Sequence, residues 1–213
     1  LKGGNISFIR VDVCNFKALI SATKQFEIDA IIHEAALTDV EESIRMPRIY
    51  HKVNIQGLIN ILETARLMDI KKVIFASSSS IYADTNRPVS EEDRINPSSP
   101  YALTKAVGEQ ICIQYDELYG IYVVSLRYFN VYGPRQRATS VIPIFVNRAR
   151  QGLPLEIYGN GKQTRDFIHV KDVVSATLLA LDLNSNLPAS QKIFNIGTGK
   201  PTSIIKLANT ILK

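Results

Sequence analysis

Apolar and polar positions alternate in blocks along most of the chain. Ile6–Val13 (ISFIRVDV) has the period-two alternation of a strand, after a Gly3-Gly4 turn. Asn15 is placed to cap a helix that runs through Phe26. Asp29–His33 reads as a buried strand ending in Glu34-Ala35-Ala36, and Thr38–Met46 reads as polar loop. From about Arg48 to Met68, apolar residues recur at Ile55, Leu58, Ile59, Leu62 and Ala65, which is one face of a helix. Val73–Ala76 is again a buried strand, Tyr101–Tyr119 a helix closed by Gly120, and Ile121–Leu126 a further strand. Strands alternating with helices predict an α/β fold built on a doubly wound parallel sheet.

The texture changes after Gly133-Pro134. The pattern predicts a short helix over Ile142–Arg150. It predicts two short strands, Leu155–Tyr158 and Arg165–His169, around a Gly159-Asn-Gly161 turn. Val170–Leu183 reads as a helix with Asp172 in its first turn. Ile193–Ile196 reads as a strand and Ser203 onward as a helix.

Composition narrows the function classes. Apolar residues make up 46% of 213, enough for a real core. No apolar run approaches the ~20 residues of a membrane span, so no membrane partner is expected. No basic-then-apolar leader opens the chain, and Cys14 and Cys112 stand apart without metal or redox spacing. Both features point to a reducing, cytoplasmic setting. The histidines, His33, His51 and His169, form no ligand cluster with them, and no metal site is expected. Net charge is +5 with a pI near 9.2. The cations are scattered (Arg10, Lys71-Lys72, Arg127, Arg135, Arg137, Arg148, Arg150, Arg165), without a basic block or basic-aromatic repeat. This suits a solvated surface and a diphosphate-bearing substrate better than nucleic acid.

The candidate chemistry lies between Val73 and Lys105. The strand there ends in Ser77-Ser78-Ser79-Ser80, and a helix then opens with Tyr101-Ala-Leu-Thr-Lys105. Tyr101 and Lys105 are four apart and share one helix face. Ligands of open α/β sheets bind at the C-terminal ends of strands, where the serines fall. A free tyrosine has a pKa of about 10 and is a poor base at neutral pH. A nearby ammonium favours the phenolate, and a serine hydroxyl can hold a substrate alcohol and pass its proton on. An alcohol deprotonated by Tyr101 can lose a hydride to a nicotinamide.

Four ordered motifs carry a resemblance: Ser77-Ser-Ser-Ser-Ile-Tyr82, Ser99-Pro-Tyr101-Ala-Leu-Thr-Lys105, Leu126-Arg-Tyr-Phe-Asn-Val-Tyr-Gly-Pro134 and Thr164-Arg-Asp-Phe-Ile-His-Val170. Together they resemble the extended short-chain dehydrogenase/reductase superfamily, in its NAD-dependent epimerase/dehydratase branch, closest to the UDP-glucose 4-epimerase group. The resemblance implies a Rossmann-like sheet over residues 1–133. It also implies a partial substrate-binding lobe over 134–213, interleaved with the last sheet strands. No G-x-x-G-x-x-G or G-x-G-x-x-G occurs anywhere. Against the family pattern, the chain is therefore expected to lack the first two strands and the C-terminal end.

The same resemblance implies site roles. Ser78, Tyr101 and Lys105 match the catalytic set. NAD is implied at Asp12 and Val13 (adenine), Ala35, Ala36, Thr38, Asn54, Ser77 and Phe129, together with Tyr101 and Lys105. For Asn54 a structural role tying helix to strand is as well supported. Glu34 departs from the pattern, which favours an apolar residue there. A UDP-sugar substrate is implied at Ser78, Ser79, Asn130, Val141, Ile157, Tyr158 and Arg165. Arg165 matches a diphosphate-clamping arginine. Ser79 and Ser80 stand where sugar-nucleotide 4,6-dehydratases carry Asp and Glu, and related decarboxylases usually keep the Glu. Serines supply neither acid nor base at neutral pH, so epimerisation is expected. UDP-N-acetylhexosamines, UDP-uronic acids or an incomplete, non-catalytic nucleotide-sugar-binding module are the alternatives. A homodimer through the helices carrying Asn54 and Tyr101 is also implied.

Overall fold

The structure, a computed structural model, describes residues 6–82, 87–184 and 186–213. Gly3-Gly4 lies outside them. A four-stranded parallel sheet forms the centre, in the order β1 (Ala30–His33), β2 (Lys72–Ser78), β3 (Tyr122–Tyr128), β6 (Ile193–Ile196). α1 (Phe16–Thr23) precedes β1, and between the strands run α2 (Val40–Arg45), α3 (Pro47–His51), α4 (Gly57–Leu67), α5 (Pro100–Tyr119), α6 (Val141–Arg150) and α7 (Val170–Asp182). A second sheet, β4-β5-β7 (Asn130–Tyr132, Thr164–His169, Pro201–Ser203), leads into α8 (Ile204–Ile211).

The inner strands β2 and β3 are near-continuous apolar runs because both faces are covered; β1, expected to be buried, is an edge strand in which His33 is buried but Ile32 is 42% exposed. On one face Val73, Phe75 and Val123 pack with Leu58, Leu62 and Cys112 of the helices α4 and α5. On the other, Ile74, Val124 and Leu126 pack with Ala180 of α7. Sheet register places Ser77 beside Arg127 and Ser78 beside Tyr128. Gly120 ends α5 at φ +66°, the left-handed conformation that closes a helix without a Cβ penalty.

Three expected elements differ. Ile6–Val13 is not a strand: among the described residues it has no ladder partner, and Ile6 and Phe8 are 86% and 88% exposed. Alternation alone does not form a strand when no neighbour takes its backbone groups. Thr38–Met46 is not all loop, because Asp39 accepts from the Glu42 amide and so caps α2. Leu155–Tyr158 forms no strand, since β5 sits between β4 and β7 in its sheet. The helix expected over Arg48–Met68 does form, but with a π-helical turn at Lys52–Gln56 between α3 and α4. Among the described residues no helix is long and apolar enough to cross a membrane, and no His/Cys/Asp/Glu group could hold a metal.

Candidate active site

Beyond the C-terminal ends of β2 and β3 lies a cleft of about 680 Å³, and the second sheet supplies part of its wall. Ser78 is the last residue of β2 and caps the 3₁₀ turn Ser79–Ile81. Its Oγ accepts from the Ser80 amide at 3.2 Å and from the Ser80 hydroxyl at 2.9 Å. With both of those contacts donated to it, Ser78 keeps its own proton for a group in the cleft. Ser99 caps α5 by accepting from the Ala102 amide, and Pro100 holds the first turn. Tyr101 is thereby fixed at the cleft wall, 8% exposed, within hydrogen-bonding reach of Ser78.

Lys105 lies one turn further along α5, 4% exposed. Its Nζ donates to the Ala76 carbonyl at 2.7 Å and sits 5.1 Å over the Phe75 ring. Burial lowers its pKa to about 8, opposed by the charge of Glu34 and by Cys112. The phenol of Tyr101 is raised, not lowered. Burial outweighs the Ser78 hydrogen bond and the positive charge of Arg137. The positive charge of Arg137 opposes that rise. Its guanidinium also ties Thr38 Oγ1 (2.7 Å) to Asp39 Oδ2 (3.0 Å) at the cleft edge. In the sequence Arg137 stood out only as one scattered charge, and nothing local marks its reach across the sheet ends.

Of the expected site residues, the cleft gathers Ser78, Ser79, Tyr101, Thr38, Phe129, Asn130 and Arg165. Ser77 is turned away: its hydroxyl donates to Glu109 Oε1 at 2.5 Å inside the core, so only its backbone remains for a ligand. Asn54, buried in the π-helical turn, is a clamp. Its Oδ1 accepts from the Leu37 amide (2.8 Å), and its Nδ2 donates to Leu37 O (2.9 Å) and Thr104 Oγ1 (3.0 Å). Replacing Asn54 with alanine is expected to destabilise the protein by about 1–3 kcal/mol, because Leu37 loses both backbone partners. A lower urea midpoint with an unchanged slope is the reading that bears this out. Asp12 is exposed and accepts from the Cys14 amide, and Val13 packs against Gly57. Ala35 and Ala36 follow the end of β1. Val141, Ile157 and Tyr158 lie outside the cleft lining, Tyr158 at 84% exposure. Gly197 is required by a close approach, since a Cβ there would meet Asp166 Oδ2 at 2.7 Å and Phe129 at 3.0 Å.

A sequence profile of the NAD dependent epimerase/dehydratase family matches residues 2–197. The chain belongs to this family. It is 43% identical over 190 residues to a Methanocaldococcus jannaschii protein provisionally named UDP-glucose 4-epimerase, covering 87% of this chain and 60% of that one. It is 38% identical over 205 residues to the UDP-glucuronate 4-epimerase of Thermodesulfobacterium geofontis, covering 95% and 62%. Its fold matches the UDP-glucose 4-epimerase of Thermotoga maritima, solved with UDP-glucose, at a TM-score of 0.90 and 30% identity, over 99% of this chain and 71% of that one. The chain thus spans about three fifths of the length of the curated relatives it matches. The Rossmann-like reading of the sheet holds, and the family's cofactor is NAD.

The residues present fit the ribose and nicotinamide half of that cofactor. Among the described residues, the Lys105 ammonium has three N–H donors and one hydrogen-bond acceptor, leaving donors for ribose hydroxyls. The small residues Ala35 and Ala36 leave the strand end open. The sequence holds no Gly-rich turn for the pyrophosphate.

Proposed function

We propose that this is the catalytic region of a nucleotide-sugar 4-epimerase, interconverting UDP-glucose and UDP-galactose. What supports the reading most is one juxtaposition: Tyr101 and Ser78 share a cleft at the strand ends, with Lys105 one turn behind. Tyr101 takes the proton of the sugar 4-hydroxyl, and Ser78, which donates to the phenol in the structure, turns to that hydroxyl and relays its proton. When bound, NAD supplies the reversible hydride chemistry at C4. Arg165 holds the substrate diphosphate; in the structure its guanidinium donates to Thr164 O and faces the cleft. Asn130 supports that wall by donating to Asp166 O at 3.2 Å. Ser79 and Ser80 give this end of the cleft hydroxyls where elimination needs a carboxyl acid and base, which favours epimerisation over dehydration.

In this reading residues 1–133 carry the cofactor and 134–213 contribute substrate contacts. The protein acts in the cytoplasm, as its two unpaired cysteines suit. It pairs as a homodimer through the helices around Asn54 and Tyr101. A second substrate, a UDP-uronic acid, is favoured by the 38% identity to a UDP-glucuronate 4-epimerase over 95% of the chain. Incubating the enzyme with NAD and, in turn, UDP-galactose and UDP-glucuronate distinguishes the two. Chromatographic separation of the 4-epimers is the readout. UDP-glucose formed from UDP-galactose is the expected result, and no epimer from either substrate would sink the proposal.

A further inference from the structure

We infer that Ser80 is a positioning residue for Ser78: its amide and its hydroxyl converge on Ser78 Oγ and fix the direction in which the Ser78 proton points. The amide nitrogen lies 3.2 Å from that oxygen and the hydroxyl 2.9 Å, and both donate to it. A serine hydroxyl has two lone pairs and one proton. One neighbour engages both lone pairs, so the proton is the part of the Ser78 hydroxyl left to act. In the structure the phenol of Tyr101 receives it.

The turn that carries Ser80 is pinned from several sides. Ser79–Ile81 is one 3₁₀ turn, closed by the Tyr82 amide donating to Ser79 O at 3.1 Å. Ile81 is fully buried beneath it, and its carbonyl accepts from the Asn96 amide at 2.8 Å. Tyr82 then pairs with Ile95 in an isolated β-bridge. The Ser80 amide is therefore a fixed point, and the Ser80 hydroxyl adds a second donor from the same residue. Ser78 and Ser80 both line the cleft. The Ser80 proton is spent on Ser78, so its oxygen can only accept from a ligand there. The donors of the row Ser80, Ser78, Tyr101 thus run one way, toward the phenol. Orientation of this kind asks for a hydroxyl alone, with no acid or base strength. Without the Ser80 hydroxyl, Ser78 regains a free lone pair and its side chain can turn away from Tyr101.

The inference rests on the proposed epimerase site, and its test has one arm with turnover and one without. In Ser80→Ala, kcat for UDP-galactose is expected to fall roughly threefold to tenfold, the worth of one neutral hydrogen bond, with KM nearly unchanged. Ser80→Thr keeps the hydroxyl and is expected to restore the rate. The deciding comparison is made in Ser78→Ala. There Ser80 has no hydroxyl to orient, so adding Ser80→Ala is expected to change the residual rate no further. An equal fall in both backgrounds marks a merely structural role and overturns the inference. The second arm is a pair of crystal structures, wild type and Ser80→Ala. Ser78 is expected in one rotamer facing Tyr101 in the first, and rotated or split over two rotamers in the second. The same single rotamer in both overturns the inference. Should Ser80→Ala not fold, Ser80→Cys keeps the volume with a weaker donor and is read in the same two ways. A wild-type protein that does not epimerise UDP-sugars ends the proposed function, and the crystal structures then decide the role of Ser80 by themselves.

Discussion

Replacing Tyr101 with phenylalanine is expected to lower turnover by a factor on the order of 10³ while bound NAD stays near the wild-type level. The change removes one oxygen from a side chain that is already 8% exposed and fixed on the first turn of α5, so the ring, the cap at Ser99 and the packing persist. What is lost, in the proposed mechanism, is the base. Ser78 cannot replace it, because a hydroxyl at neutral pH neither ionises nor holds a proton well. Lys105 cannot, because its ammonium points to the Ala76 carbonyl. The pH profile gives the sign. Burial holds the phenol above its ordinary value, so the phenolate fraction, and with it turnover, rises as the solution is made alkaline. That rise should vanish in Tyr101→Phe. Conversion of the UDP-sugar reads the rate, and cofactor absorbance of the purified protein reads occupancy. Near-normal turnover in the variant ends the proposed mechanism.

The placement of Ser78, Tyr101 and Lys105 near one strand end was legible in the sequence because it follows from short spacings. Tyr101 and Lys105 lie on one helix face, and Ser78 lies at the end of a strand whose burial is written in its apolar run. The strands β2, β3 and β6 were legible for the same reason. What was not legible depends on partners far away in the chain. Ile6–Val13 has the alternation of a strand, yet nothing in the alternation says whether a neighbour exists. Ser77 and Ser78 are adjacent serines, and only the pleat decides that one faces Glu109 and the other Tyr101. Arg127 read as a surface charge, yet it is 4% exposed, because Glu109 from another element neutralises it. A signal for Glu109 did exist: it stands four residues after Lys105, as Lys105 stands four after Tyr101, on the same face of α5.

That buried pair carries the largest expected effect on stability. Arg127 and Glu109 meet in a two-pronged contact, Nε to Oε1 at 3.0 Å and Nη2 to Oε2 at 2.8 Å. Arg127 Nη1 also donates to the Tyr82 hydroxyl at 2.5 Å and to Glu91 O at 3.1 Å, and Tyr82 donates to Asn195 Oδ1 at 2.8 Å. Glu109 accepts from Ser77 as well, so one carboxylate joins α5, β2 and β3. Glu109→Ala leaves an arginine in the core with no countercharge, and such a loss costs about 3–5 kcal/mol. Replacing both partners by apolar residues of similar volume, Glu109→Leu with Arg127→Met, removes the uncompensated charge. The double variant is therefore expected to unfold at a higher urea concentration than Glu109→Ala. It does not recover the cleft, because Tyr82 and Asn195 both line it and Tyr82 then lacks the donor that orients its hydroxyl. Stability and turnover should thus part company: the double variant regains the first and not the second. A Glu109→Ala protein within about 1 kcal/mol of wild type would show that water or rearrangement satisfies Arg127. The network would then have no claim to holding the strand end in place.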